Sequence, residues 1–286
     1  MRTNIASTPY NRAYVEITNV CNRSCSFCHG TKRAPAFMSE ERFLKVLDSL
    51  AGVVQFVYFH LMGEPLLHPQ LARFVSLASS LGFKPCITTN GTLLPRVGKS
   101  LIDSGLYRIN ISVHSLEDES EQEMLDYLNG CMDFADESSK SGILTVLRLW
   151  NRGVDRGLNR SVTDMLHEKF TEPWHTAANT DGARLRHKLH LEYGDRFAWP
   201  DAAAENLGDH AFCYGLKDHF GVLVDGTVVP CCLDADGVIA LGNIFEKSLA
   251  EILCSDRAGS IKEGFREKRC VEELCRRCGY SRRFKL

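Results

Sequence analysis

Three cysteines stand within eight residues near the start of the chain, in the run CNRSCSFC, which follows a short apolar segment. Cys21, Cys25 and Cys28 are spaced C-x3-C-x2-C. Three thiolates on one tight loop can hold three irons of a [4Fe–4S] cube and leave the fourth iron without a protein ligand. An open coordination position separates a reactive metal site from a closed structural one, as zinc sites show. The run therefore predicts a reactive iron–sulfur centre, with a zinc site or scattered buried thiols as the alternative.

Length, charge and cysteine content exclude several classes of protein. The 286 residues suffice for one large domain, or for one domain and a small module. A formal net charge of −2 gives no basic field that would favour nucleic acid. The apolar runs are too short for a membrane span, and the N-terminus lacks the apolar stretch of a secretory signal. Twelve cysteines in such a chain indicate metal ligands or reactive thiols rather than disulfides, so we predict a cytoplasmic protein.

Strand-like and helix-like segments alternate through the first two thirds of the chain. The predicted strands are Ala13–Thr18, Val53–His60, Phe83–Thr89, Tyr107–Val113, Ile143–Leu149 and Lys188–Tyr193. The predicted helices are Ser39–Leu50, Pro69–Leu81, Leu93–Ser104, Glu119–Ser138 and Arg160–Phe170. This alternation predicts an α/β fold with a parallel sheet and right-handed crossovers. Active sites on such sheets lie at the C-terminal ends of the strands.

The cysteine run and two later segments resemble the radical S-adenosylmethionine (radical SAM) superfamily. Phe27 precedes the third cysteine, as an aromatic residue does in that family. HLMGEP, at residues 60–65, resembles the family's GGEP motif, with Met62 in place of the first glycine, and Thr89-Asn90-Gly91 resembles its TNG segment. The resemblance implies a partial (β/α)6 barrel in which SAM chelates the fourth iron. It also implies that SAM is cleaved to a 5′-deoxyadenosyl radical, which abstracts hydrogen from carbon.

The same resemblance implies a set of SAM-binding residues at the strand ends. The alternative interpretation of each is an ordinary polar residue at a strand end or an ordinary turn residue. The members of the set are Phe27, Gly63, Glu64, Asn90, Ser112 and Arg148. Gly63 and Glu64 match the edge that takes the SAM amino group, because glycine lets the backbone approach and a carboxylate suits an ammonium ion. Ser112 and Arg148 are expected at the SAM ribose or carboxylate. His60 is either part of this set or a core histidine.

A second cysteine set lies in the C-terminal third, beyond a linker that starts at residue 195. It consists of Cys213, Cys231, Cys275 and Cys278. Asp225-Gly226 lies between two apolar runs and predicts a two-residue hairpin, and a helix is predicted over residues 248–267. This pattern resembles the shortened SPASM module called a twitch domain, which implies one auxiliary [4Fe–4S] cluster, with zinc as the alternative. We therefore predict a radical SAM core over residues 1–194 and a twitch/SPASM-like domain over residues 195–286.

Five cysteines remain outside the two sets. Cys232 or Cys270 could replace one of the four auxiliary ligands, whereas Cys86 and Cys131 are interpreted as small buried hydrophobes. Cys254 follows the apolar stripe Leu249, Ile252 and Leu253 on the predicted C-terminal helix. The stripe favours a helix that borders the barrel mouth, where the thiol of Cys254 would return a hydrogen atom to a substrate radical. The alternative is that Cys254 only packs.

The overall plan is similar to that of aminoglycoside epimerases of the superfamily, and the resemblance implies epimerisation of a sugar carbon. Only twenty residues precede Cys21, which favours a small-molecule substrate over a leader peptide. A cationic aminoglycoside would need carboxylates, and the candidates are Asp195, Asp201, Glu205, Asp209, Asp234 and Asp236. A dehydrogenase of a sugar or cyclitol alcohol and a peptide-modifying enzyme are the alternatives. The epimerase and both alternative enzymes need an electron donor such as flavodoxin or ferredoxin.

Overall fold

One ten-stranded sheet organises the chain, in the order β10-β9-β8-β1-β2-β3-β4-β5-β7-β6. The computed structural model describes residues 10–115, 120–155, 157–176 and 181–284. The strands are β1 Arg12–Val15, β2 Phe56–Tyr58, β3 Lys84–Thr89, β4 Arg108–Ser112, β5 Leu144–Arg152, β6 Gly182–Arg186, β7 Leu189–Asp195, β8 His219–Val222, β9 Thr227–Val229 and β10 Gly242–Asn243. Neighbours from β8 through β1 to β5 and β7 pair in parallel, which confirms the predicted α/β class.

Helices connect successive parallel strands in the first part of the chain, and further helices follow β10 near the C-terminus. They are α1 Glu40–Leu50, α2 Leu71–Ser80, α3 Leu94–Ile102, α4 Glu121–Lys140, α5 Leu158–Lys169, α6 Leu249–Leu253, α7 Asp256–Arg266 and α8 Glu273–Arg276. Ser39 caps α1 by accepting a hydrogen bond from the Arg42 amide. Gly82 and Gly105 follow α2 and α3 with positive φ angles, as glycine at the end of a helix allows.

The two faces of β1 show how the sheet divides the core from the site. Ala13 and Val15 are fully buried among the helices, where the rings of Phe43 and Phe74 stack at 4.1 Å. Tyr14 points to the other face, because successive side chains of a strand alternate, and its ring lies 5.1 Å from that of Tyr58. This concave face, which we call the lumen, is where the polar strand residues gather.

The C-terminal hairpin continues the same sheet. Strand β8 pairs in parallel with β1, and β9 and β10 extend the sheet by antiparallel pairing. Gly226 turns the hairpin with φ 93°, where a side chain would also meet the ring of Phe245. The predicted boundary near residue 194 therefore falls at the end of β7, within one continuous sheet, and the division into two domains stays a prediction.

Two local predictions differ from the structure. An antiparallel edge strand, β6, precedes β7, so the sixth parallel strand is reached through a helix and a hairpin rather than through a helix alone. The single helix predicted over residues 248–267 is two helices, because Ser255 caps α7 by accepting from the Ala258 amide. Cys254 is consequently the residue that ends α6, and it does not lie within a continuous helix.

Among the residues that the structure describes, no helix has both the length and the apolar character that crossing a membrane requires.

Candidate functional site

The loop after β1 presents the three cysteines of the first set. Cys21 and Cys28 are exposed and Cys25 is half-buried. The Cys28 amide donates to the Cys25 carbonyl at 3.0 Å, and the Cys25 thiol lies 3.8 Å from the Ser115 carbonyl beyond β4. Partial burial raises the pKa of the Cys21 and Cys25 thiols. Three thiols on one short loop fit an iron–sulfur cluster that keeps one iron open.

Contacts from neighbouring strand ends hold this loop in place. Asn22 donates to Thr92 at 2.9 Å and accepts from the Asn90 side chain at 3.0 Å. The carbonyl of Phe27 accepts from the Trp199 indole at 3.0 Å. The Phe27 ring lies 5.0 Å from that of His114. Of the predicted SAM-binding residues, Phe27 thus lies on the cysteine loop itself and Asn90 is brought to it from the end of β3.

A buried ion pair secures the chain on the other side of the loop. Arg33 makes two hydrogen bonds to the Glu16 carboxylate, at 2.7 and 2.6 Å, and the Glu16 side chain is fully buried. Glu16 also accepts from the amides of Met62 and Val224. Arg33 further donates to the Ala235 carbonyl. One pair thus joins the cysteine loop, the HLMGEP turn and the C-terminal hairpin.

The HLMGEP turn packs directly on the segment that leads into the cysteine loop. Gly63 has φ 77°, and a Cβ atom there would stand 2.5 Å from the Thr18 carbonyl oxygen, so only glycine fits without displacement. The Glu64 amide donates to the Val20 carbonyl at 2.8 Å. Backbone this close to the loop is what the predicted SAM edge requires.

Glu64 itself is 1% exposed and ties the turn to the end of β3. Its carboxylate accepts from the Leu66 amide, the Thr89 hydroxyl and the Asn90 amide at 2.7–2.9 Å. Burial raises the pKa of Glu64 to about 7, while these three donors favour the ionised form. The carboxylate therefore positions the edge, and its contact with the SAM amino group stays a prediction.

Arg148 and Ser112 are paired in register on neighbouring strands, and their contacts with SAM stay predictions. The Arg148 guanidinium lies 4.7 Å from the Trp150 ring, and its Nε is 3.5 Å from a carboxylate oxygen of Glu192. Glu192 also accepts from the Trp150 indole at 3.1 Å. Sequence reasoning missed Glu192, although its place within the last predicted parallel strand was a usable signal. It is a lumen carboxylate that remains one-third exposed.

Two histidines beside Arg148 stay neutral at pH 7. Burial lowers the pKa of His60 to about 3 and that of His114 to about 4. His114 Nδ1 lies 3.0 Å from the Arg148 carbonyl. His60 Nδ1 is buried and, within the described residues, has no hydrogen-bond partner. His60 is thus a lumen residue with an unused polar atom, rather than a satisfied core histidine.

The second cysteine set surrounds a single cavity of about 280 Å³. Cys213, Cys231, Cys275 and Cys278 all line it, together with Cys232. Burial raises the pKa of the Cys231 and Cys275 thiols well above the usual value. The cavity is many times the roughly 30 Å³ of one water molecule, and four thiols along its wall are the number of ligands that a closed [4Fe–4S] site uses.

Apart from Cys232, the remaining cysteines are either buried in the core or exposed at the surface. Cys86, Cys131 and Cys270 are fully buried in the core, and none of them lines the cavity. Cys254 is exposed and is also not among the lining residues. The carbonyl of its neighbour Leu253 accepts from Lys262, whose ammonium lies 5.8 Å from the Tyr10 ring before β1. This contact lies toward the N-terminal end of β1, whereas the cysteine loop follows its C-terminal end.

Most of the carboxylates proposed for a cationic substrate already have protein partners. Asp195 pairs with Arg152 at 3.2 Å, and Asp201 accepts from the Ala203 amide. Asp234 is buried and accepts from two amides of its own loop. Asp236 accepts from Thr31 and from the Lys32 amide. These four side chains stabilise loops or strand ends, whereas Glu192 lies on the lumen face, where it pairs with Arg148 and Arg108 and remains one-third exposed.

Family models match both halves of this arrangement. Residues 15–168 match the radical SAM superfamily, and residues 213–279 match SPASM, an iron–sulfur cluster-binding domain. The loop, the strand-end edge and the four-cysteine cavity therefore define an enzyme that uses SAM with iron–sulfur clusters. The chain belongs to the radical SAM superfamily and binds SAM and two [4Fe–4S] clusters.

Curated relatives similar in sequence are named GTP 3′,8-cyclases. A probable GTP 3′,8-cyclase of Sulfolobus acidocaldarius is 30% identical over 267 residues, which cover 82% of this chain and 85% of the relative. One from Methanothermobacter marburgensis is 36% identical over 111 residues, 37% of this chain. That alignment spans only 36% of the relative's length.

Solved structures with the same fold extend over nearly the whole chain. BtrN in complex with AdoMet and 2-DOIA has a TM-score of 0.62 at 20% identity, covering 94% of this chain and 92% of BtrN. The enzyme anSMEcpe, with bound AdoMet and the Kp18Cys peptide, has a TM-score of 0.63 at 16% identity, covering 95% and 87%. At these identities the likeness establishes the fold alone.

Proposed function

We propose that the chain epimerises a ring carbon of an amino sugar in an aminoglycoside. The observation that carries this proposal is Glu192, a half-buried carboxylate on the lumen face between Arg148 and Trp150. A carboxylate there can bind a substrate ammonium, while the indole and guanidinium flank the ring and its hydroxyls. The bound ligands of BtrN, AdoMet and 2-DOIA, support a small polar ring in this lumen.

The SAM-binding cluster, when bound, supplies the electron that cleaves SAM to methionine and a 5′-deoxyadenosyl radical. The chain's own residues orient SAM along the Gly63 edge, fix that edge through Glu64 and hold the substrate at Glu192. Abstraction of a ring hydrogen leaves a carbon radical, and a cysteine thiol on the opposite face returns a hydrogen atom. Cys254 was predicted for this step, and its role stays a prediction. An electron-donor protein such as flavodoxin or ferredoxin supplies the electrons.

The test uses anaerobic holoenzyme, SAM, a chemical reductant and neomycin C in D2O, followed by mass spectrometry and NMR. An epimer with one deuterium on the inverted carbon supports the proposal. A product lighter by two hydrogen atoms would instead indicate a sugar or cyclitol dehydrogenase. No product from neomycin C would contradict an aminoglycoside substrate, and peptide substrates would then be examined.

Glu192→Gln probes the substrate contact directly. Loss of a hydrogen bond to a charged group costs about 1.5–3 kcal/mol, so we expect kcat/KM to fall roughly 10- to 100-fold. SAM cleavage in the absence of substrate should not change. The matched control is Asp195→Asn, which alters an outer carboxylate paired with Arg152. Equal losses in both variants would contradict a special role of Glu192.

A guanine nucleotide is a second candidate substrate. The relatives named GTP 3′,8-cyclase favour it, as do guanidinium groups stacked on aromatic rings, namely Arg196 on Phe27 and Arg283 on Tyr280. Such groups suit phosphates and bases. GTP replaces neomycin C in a parallel reaction, and consumption of GTP with formation of 5′-deoxyadenosine would favour this candidate over the first.

A further inference from the structure

Cys232 differs from the four auxiliary ligands in what it contacts. It is half-buried and packs against the small apolar cluster formed by Leu61, Met62, Leu223, Val229 and Ala235. Met62 is the residue before Gly63, on the predicted SAM edge. Cys232 therefore lies both at the auxiliary cavity and against an apolar cluster that includes a residue of the turn on which SAM is expected to lie.

The other neighbours of Cys232 belong to the lumen and to the cysteine loop. Tyr14 and Trp199 pack against the same apolar cluster. The Trp199 indole holds the Phe27 carbonyl of the cysteine loop. The Tyr14 ring lies 5.1 Å from Tyr58 and 5.5 Å from His60. The thiol thus borders the space between the two cysteine sets.

An unpaired polar atom marks that space as one that receives a polar ligand. Within the part of the chain that the structure describes, His60 Nδ1 is buried without a hydrogen-bond partner. Tyr14 links His60 to Cys232, since its ring lies 5.5 Å from that of His60 and its side chain lines the same cavity as Cys232. Buried polar atoms normally have partners, so we expect a bound ligand to supply the partner of His60 Nδ1.

We infer that Cys232, and not Cys254, is the thiol that returns the hydrogen atom to the substrate radical. This inference rests on the proposed epimerisation. The 5′-deoxyadenosyl radical takes a hydrogen atom from the ring carbon and becomes 5′-deoxyadenosine. The S–H bond of Cys232 then breaks, and a new C–H bond forms on the opposite face of the ring.

The resulting thiyl radical of Cys232 must be reduced before the next turnover. It takes one electron from a donor protein of the flavodoxin or ferredoxin class, or from the chemical reductant in vitro, and one proton from solvent. The hydrogen that leaves the substrate ends in 5′-deoxyadenosine, and the one that enters comes from solvent through the thiol. Each turnover thus consumes one SAM and leaves the sugar at its original oxidation level.

The experiment compares wild type, Cys232→Ser and Cys254→Ala, each as anaerobic holoenzyme with SAM, reductant and neomycin C in D2O. Iron content and the visible absorption spectrum are measured first. We expect Cys232→Ser to keep both clusters, to form 5′-deoxyadenosine and to yield no epimer. Freeze-quenched samples of this variant should show the EPR signal of a carbon-centred substrate radical. Cys254→Ala should make deuterated epimer at nearly the wild-type rate.

Each other outcome overturns the inference in a distinguishable way. Deuterated epimer from Cys232→Ser removes Cys232 from the reaction. Loss of iron from Cys232→Ser assigns this residue to the auxiliary cluster instead. Loss of epimer from Cys254→Ala alone restores Cys254 as the donor. Absence of epimer from wild type contradicts the proposed function itself, and the donor role of Cys232 with it.

Discussion

The two cysteine sets are built in opposite ways. Cys21, Cys25 and Cys28 come from one eight-residue run, and two of the three are exposed on a loop. The second set comes from three separate segments, and its side chains line one cavity of about 280 Å³. The first site is complete within its own loop, whereas the second exists only when the hairpin, the helices and the C-terminal turn have assembled.

This difference matches the chemistry that each site needs. A loop with three thiols leaves one iron open, so that SAM can bind there. A cluster held by four thiols has no open iron for substrate, which suits electron transfer or structural support. The buried pair of Glu16 and Arg33 connects the two, since it contacts the HLMGEP turn on one side and the hairpin on the other.

The largest effect is expected when the open site loses a ligand. In Cys25→Ala the loop cannot hold a stable cluster, so 5′-deoxyadenosine formation should fall to the detection limit. The iron content should fall to about half, because the four thiols of the closed site remain. Anaerobic iron analysis and chromatography of SAM products check this. Residual SAM cleavage in the variant would show that the three cysteines do not act together.

Removing a ligand from the closed site should separate SAM cleavage from turnover. Cys275→Ala is expected to lose about half of the iron while it continues to form 5′-deoxyadenosine. Conversion of substrate should not go beyond about one turnover, because we expect the electron from the donor to reach the protein radical through the second cluster. Cys270→Ala is the matched control, since that thiol lies in the core and does not line the cavity. Unchanged iron in Cys275→Ala would contradict the ligand assignment.

The connection between the sites is tested by Glu16→Gln. Removal of one partner of a buried ion pair costs about 3–5 kcal/mol, and the lower value is expected because Arg33 remains 16% exposed. For a chain of this size, about 3 kcal/mol corresponds to a Tm lower by roughly 6–12 °C. Scanning calorimetry of anaerobic holoenzyme measures the shift.

Glu41→Gln is the control for that substitution, because Glu41 forms an ion pair with Lys45 on the exposed face of α1. Its Tm should match that of wild type, since solvent screens the surface pair. A wild-type Tm in Glu16→Gln would show that the two cysteine sites are not connected through this ion pair.

The contrast between local and assembled sites also explains what the sequence predicts well. The parallel strands, the caps at Ser39 and Gly82 and the hairpin at Gly226 follow from patterns within a few residues. Glu192 escaped detection, because only pairing of β5 with β7 brings it to Arg148. The expectation for Cys254 rests on the stripe of Leu249, Ile252 and Leu253, which does form the buried face of α6, but a stripe does not tell which part of the molecule its helix borders. The place of Cys232 against the apolar cluster around Met62 depends on tertiary packing, which no local pattern encodes.

The smallest effect concerns the backbone at the open site. Gly63→Ala places an L residue at φ 77°, which costs about 1–2 kcal/mol, and sets a methyl group 2.5 Å from the Thr18 carbonyl oxygen. Gly52→Ala is the matched control, because Gly52 has φ 74° and nothing within 4 Å of the added Cβ. Both variants should therefore lose similar stability from the backbone angle alone. Only Gly63→Ala must also move the edge, so its Kd for SAM should rise about tenfold, which corresponds to roughly 1.4 kcal/mol. Equilibrium dialysis of each variant holoenzyme with SAM measures the Kd. Equal Kd values for Gly63→Ala and Gly52→Ala would mean that the HLMGEP turn does not form the SAM edge.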